Sequence, residues 1–174
     1  KNNTGDTMYY LNYFFMYSLI GYLLETGLYL ILDKSGNSGY LMGPWTPVYG
    51  IGIVLIILIY NFIDKHIKKN KFIKLLILFF ISAIILSIIE WCGGILIEKV
   101  FHYTCWNYSN LKFHIGKYVA LELAVVWGLL AIFFILFLKK VSDYIIKRIP
   151  KYITYTLVIL FIIDNILTII KHLK

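Results

Sequence analysis

Polar residues come in short clusters along this chain, and the apolar runs between them are too long for a soluble core. The runs cover about 9–32, 43–63, 72–98, 118–138 and 152–170. A helix crosses a bilayer with about 20 mostly apolar residues. The pattern therefore predicts an all-α protein: an integral membrane bundle of about five transmembrane helices, forming one domain over 1–174 with short loops. The breaks agree. "DKSGNSGY" is a turn rich in Gly, Ser and Asn. "LMGPWTPVYG" holds Gly43, Pro44, Pro47 and Gly50, and proline removes a helix donor and clashes with the preceding turn. A broken or re-entrant segment is expected there, before the second span. "DKHIKKNK" and "KKVSDYIIKRIPK" are basic loops, the second a candidate short interfacial helix ended at Pro150.

Charge placement sets the orientation. Lys65, Lys68, Lys69, Lys71 and Lys74 flank one connection, and Lys139, Lys140, Lys147, Arg148 and Lys151 flank another. Both fall on one side, which the positive-inside rule makes cytoplasmic. The N-terminus is then inside and the C-terminus outside. The net charge of +8 serves anionic lipid beside the spans, not nucleic acid. At 60% hydrophobic and 15% charged, against about 25% charged in soluble domains, the chain belongs to a membrane. A basic set that is all Lys except Arg148, with abundant Ile, Asn, Tyr and Phe, fits AT-rich coding and a bacterial cytoplasmic membrane. The first run is too long for a signal-peptide core and carries a charge, so it reads as a span. Cys92 and Cys105 fall near one membrane face, where a disulfide is geometrically conceivable, although Cys92 lies inside a helix. Their spacing matches no zinc or redox motif.

Acids inside the spans are the candidate chemistry. Glu25 in the first span, Glu90 in the third and Glu122 at the start of the fourth all reach the outer half of the bilayer, and Glu98 ends the third span on that side. The Gly-Pro segment enters from the same side. Intramembrane carboxylates cost about 2.5–3.5 kcal/mol each on insertion scales, and irregular backbone at that depth needs burial or a wet cavity. Both rules point to one outer-facing acidic pocket. Ser18, Gly21 and Glu25 share a helical stripe, as do Ser87, Glu90 or Trp91, Gly94 and Glu98. Small residues on such stripes let helices approach closely. At least one acid of a close-set group is expected to carry a proton or a bound cation, since no Lys or Arg lies at matching depth and Lys117 sits at the edge. A lone membrane Glu can instead serve packing alone.

Asp164, Thr168 and Lys171 share a face of the fifth span, where a structural hydrogen bond is the simpler expectation. His102 and His114 lie in the outer loop, as general bases or, more simply, surface residues. Most tyrosines and tryptophans read as interface belt. Trp106 and Tyr108 stand apart, in the polar loop above the acids.

The runs "YFFMYSLIGYLLETGLY", "GYLMGPWTPVYGIG", "IEWCGGILIEKVFHYTCWNYS" and "VALELAVVWGLL", in that order, resemble the bacterial family of CmpB-like permeases, labelled ABC-transporter type IV. The resemblance covers about 9–138. Its motif falls on Glu25, Pro44, Pro47, Tyr49, Gly50, Glu90, Glu98, Trp106, Tyr108 and Trp127. The family commonly has Asp at the position of Asn107. The resemblance implies a permease working with a separate ATPase, because no Gly-x-x-x-x-Gly-Lys-Ser/Thr segment is present. A similar but looser skeleton occurs in small vertebrate multi-pass proteins.

Two functions are expected from these residues. The first is binding or transport of a small solute or cation by Glu25, Pro44, Pro47, Tyr49, Glu90, Glu98, Trp106, Tyr108 and Glu122. The alternative is a membrane-embedded enzyme acting on a lipid or its headgroup, with Glu25, Glu90 and Glu122 as acid and base. No metal-ligand set is complete, no assured nucleophile appears, and no cofactor is indicated. Membrane lipid, a separate ATPase or another membrane protein are the expected partners. A role as an assembly partner is the blander reading.

Overall fold

The computed structural model describes residues 3–31, 41–68, 70–102, 104 and 106–172. The expected turn over 33–40, the last residue of the first run, Lys69 and the Cys105 end of the conceivable disulfide lie outside the described residues.

Six helices follow in order: α1 (Asn3–Ile31), α2 (Pro47–His66), α3 (Lys71–Phe101), α4 (Leu121–Phe133), α5 (Lys139–Ile146) and α6 (Lys151–His172). A two-stranded hairpin, β1 (His114–Ile115) with β2 (Val119–Ala120), precedes α4. Among the described residues, five helices are long and apolar enough to cross a membrane: Gly5–Ile31, Pro47–His66, Lys71–Val100, Leu121–Ile146 and Lys151–Lys171. The expected all-α membrane architecture is therefore present. α4 runs into α5 through a π turn at Phe134–Leu138, so the expected short helix over Lys139–Ile146 continues the fourth apolar helix without a break. The π turn replaces i→i−4 bonding locally, as in the bulges that interrupt otherwise regular helices.

The chain forms two compact units, 1–54 with 141–174, and 55–140. In the first, α1 packs on α6. Phe14 and Phe15 meet Phe161 edge to face, and Thr154 donates to the buried Asn12 at 2.7 Å. The Gly-Pro segment is irregular from Leu41 to Thr46. Pro47 then opens α2, where its missing N–H costs nothing. The first turn of α2 meets α1 closely: a Cβ on Gly50 would lie 2.4 Å from the Phe14 carbonyl oxygen, and one on Gly21 2.4 Å from the Tyr49 ring. Trp45 is buried against Phe15 and Phe161.

In the second unit, α3 starts at an Asn70 cap whose side chain accepts from Ile73 N–H, and Lys74 pairs with Asp64 at 2.6 Å. At its other end, His102 takes a left-handed conformation (φ 52°) and its N–H caps the Glu98 carbonyl. The chain turns back through the hairpin at Gly116 (φ 65°), a conformation that favours glycine. It enters α4, which packs along α3. Close approach again relies on glycines: a Cβ on Gly94 would lie 2.5 Å from the Tyr118 ring, and one on Gly128 2.5 Å from Phe79.

Candidate functional site

Among the described residues, Glu90 is the one buried acidic side chain of the 55–140 unit, 6% exposed. Both carboxylate oxygens are engaged. Trp127 on α4 donates its indole N–H to Oε2 at 2.7 Å, and the Tyr108 hydroxyl donates to Oε1 at 3.0 Å. Local folding delivers both donors. Trp127 lies one residue before Gly128, whose bare Cα draws α4 onto α3. Tyr108 is pinned by its own N–H to the Lys117 carbonyl at 2.7 Å, next to an Asn107 turn in which the side chain accepts from Ser109 N–H. No basic side chain among the described residues reaches Glu90. Its partners among the described residues are neutral donors.

Glu98, two turns further along α3, is built differently. It forms an ion pair with Lys117 of the hairpin and accepts from the Tyr118 hydroxyl at 2.7 Å. The sequence suggests acids with no basic partner at their depth, and here the hairpin supplies one. The bond to Glu98 holds the Lys117 ammonium above the usual lysine range. Burial, then the bond to Glu98, pushes the Tyr118 phenol up.

Glu122 opens α4 and accepts from Phe113 N–H at 3.1 Å. Its second oxygen is buried without a hydrogen-bond partner among the described residues, and so is the Trp106 indole nitrogen. Trp106 lies edge-on to Tyr118 and touches the space beside Gly93. The elements of one unit thus carry Glu90, Glu98, Trp106, Tyr108 and Glu122. The other unit holds the remaining candidates. Glu25 is half-buried on α1, Pro44 is exposed in the irregular segment, Pro47 begins α2, and Tyr49 covers Gly21. His102 and His114 are exposed, the first as a helix cap and the second bonded through Nδ1 to the Gly116 carbonyl. Among the described residues, no three His, Cys, Asp or Glu side chains are grouped to hold a metal ion.

Two arrangements escape the sequence reading. Tyr9 and Tyr13 both donate to Asp143 Oδ1 at 2.7 Å, and Tyr17 bonds Ser142 at 2.8 Å. The signal is Tyr9, Tyr13 and Tyr17 at four-residue spacing, a single helical stripe that a belt interpretation overlooks. The second is the backbone N–H of Gly43, which donates to Asp164 at 2.9 Å. A bond from α6 was foreseeable, but its partner is the irregular segment and not a helix.

Fold and site together define a multi-pass α-helical membrane protein with an intramembrane carboxylate held by aromatic donors. The chain belongs to the family described as "Putative ABC-transporter type IV", whose model matches residues 12–169. No curated protein and no solved structure matches the chain.

Proposed function

We propose that this chain is the membrane subunit of a transporter and binds a small solute or cation at Glu90. The carrying observation is a buried membrane carboxylate that meets only the neutral donors Trp127 and Tyr108. An ionisable group inside a span marks a functional site by default, because hydrocarbon penalises its charge unless that charge is used. Each Glu90 oxygen accepts one of these bonds and keeps a further lone pair, so a cationic or hydrogen-bond-donating solute binds beside the aromatic donors without displacing them. The unpartnered Trp106 indole N–H and Glu122 oxygen offer one further donor and acceptor in the same unit.

In this reading the protein sits in a bacterial cytoplasmic membrane with its N-terminus inside, and Glu90 lies in the outer half. ATP hydrolysis comes from a nucleotide-binding segment outside these 174 residues, which hold no phosphate-binding Gly-Lys-Ser/Thr loop. The test is the intracellular solute pool of a deletion strain. Complementation with wild type restores the pool, and complementation with Glu90→Gln at equal membrane abundance does not. Equal restoration by both would remove Glu90 from the transport path.

A further inference from the structure

A second intramembrane acid lies outside the Glu90 site, in the unit made by 1–54 and 141–174. Asp164 Oδ1 accepts from Gly43 N–H at 2.9 Å, and Thr168, fully buried one turn further along α6, accepts from Met42 N–H at 3.3 Å. These two bonds fasten the irregular Gly-Pro segment to α6. Asp164 Oδ2 is left buried with no hydrogen-bond partner among the described residues. It faces the bare side of Gly43, where a Cβ would lie 3.1 Å from Oδ2 and 2.4 Å from the Trp45 indole nitrogen.

An unpaired carboxylate oxygen buried in a membrane span is neutralised either by a proton or by a bound cation. That burial selects among cations. Oδ2 itself is covered, so an ion that binds it gives up water on that side, which a monovalent ion does more readily than a divalent one. A divalent ion is a poor match: magnesium keeps its waters, calcium takes six to eight oxygens, and one carboxylate balances one charge. The Thr168 hydroxyl has a second lone pair after accepting from Met42. Unwound backbone beside an intramembrane acid is also the setting in which transporters coordinate sodium.

We propose that Asp164 Oδ2, the Thr168 hydroxyl and the backbone around Gly43 bind a dehydrated monovalent cation of sodium's size. The bound ion completes the fastening of the Gly-Pro segment to α6. The site shares no residue with the Glu90 site and stands without it.

The test uses the full chain in nanodiscs. Asp164 as a residue is only half-buried, so a hydrophobic carbodiimide reaches its carboxyl group from lipid. It modifies the group when that group is protonated and holds no ion, and mass spectrometry maps each adduct. Sodium chloride is compared with choline chloride at equal ionic strength. Modification of Asp164 is expected to slow at least tenfold in sodium, with the modified carboxyl groups outside both proposed sites unchanged. Equal rates in both salts, equal slowing at every carboxyl group, or no adduct at Asp164 in choline would each overturn the proposal. Asp164→Asn retains an amide oxygen for the Gly43 bond, and the rise in Tm from choline to sodium should vanish in it. If that variant does not fold, the wild-type labelling decides alone.

Discussion

Glu90 and Glu98 stand two turns apart on one helix and face the membrane in opposite ways. Glu98 meets a full positive charge, Lys117, with a phenol beside it. It is half exposed at a helix end, where water and the hairpin share the work. Glu90 is buried and meets only an indole and a phenol. An acid that is neutralised by its own fold has finished its electrostatic task. An acid held by neutral donors alone remains available to a positive ligand. The proposed binding role therefore falls to Glu90, while Glu98 fastens the hairpin to α3 through Lys117 and Tyr118.

The largest expected effect separates the two acids by function. Glu90→Gln should abolish solute accumulation in the complementation assay, whereas Glu98→Gln should leave most of it. If both variants fail alike at equal abundance, the contrast collapses and both acids are structural.

The next effect concerns the glycines that bring α3 and α4 together. Gly94→Ala drives a Cβ into the Tyr118 ring, and Gly128→Ala drives one into Phe79, 3.0 Å from its carbonyl oxygen. Overpacking of this kind costs about 1–3 kcal/mol. Gly128→Ala should be the worse variant, because backbone yields less than a ring. Thermal unfolding in detergent checks the order, and an unchanged Tm in both would contradict the packing shown here.

Removing one donor from Glu90 comes third. Trp127→Phe keeps the ring and deletes the N–H. Hydrogen bonds between membrane helices average about 0.6 kcal/mol and reach about 1.7, so the Tm should fall only slightly. Solute accumulation should drop further than that stability loss explains. A proportional fall in both would assign Trp127 to packing.

The smallest effect belongs to the ion pair. Exposed pairs contribute little and are screened by salt. Lys117 and Tyr118 both hold their protons more tightly in the folded protein than their ordinary values. Their contribution is thus fully present below the unfolded pKa values, about 10 for Tyr and 10.4 for Lys, and is lost as pH rises through the folded ones. Lys117→Met should flatten the alkaline fall in Tm and leave the neutral region nearly unchanged. An equally steep fall in the variant would take the pair out of the account.

Much of the fold was legible because membranes impose a length rule. Apolar runs near Tyr9, Phe72 and Tyr152 had to be helices, and Pro44 with Pro47 had to leave irregular backbone before the second span. The end of the fourth span was less legible: the basic residues at Lys139 and Lys140 suggested a loop, yet the helix continues through its π turn to Ile146. The site was legible as residue types. Glu90, Tyr108 and Trp127 stood out as an acid in a span and aromatics in family motifs. Their pairing was not legible, since 18 and 37 residues separate the partners of Glu90 from it in sequence and only the glycine contacts bring them together. The Glu98–Lys117 pair was hidden for a similar reason. Lys117 was placed at the membrane edge, and only the hairpin turn at Gly116 brings it to the end of α3.

Native mass spectrometry of protein purified from its host tests the central claim most directly, with wild type, Glu90→Gln and Glu98→Gln measured side by side. Wild type and Glu98→Gln should both retain a bound small species that Glu90→Gln lacks. Three identical spectra, or loss of the species in Glu98→Gln as well, would contradict the assignment of Glu90 as the binding carboxylate.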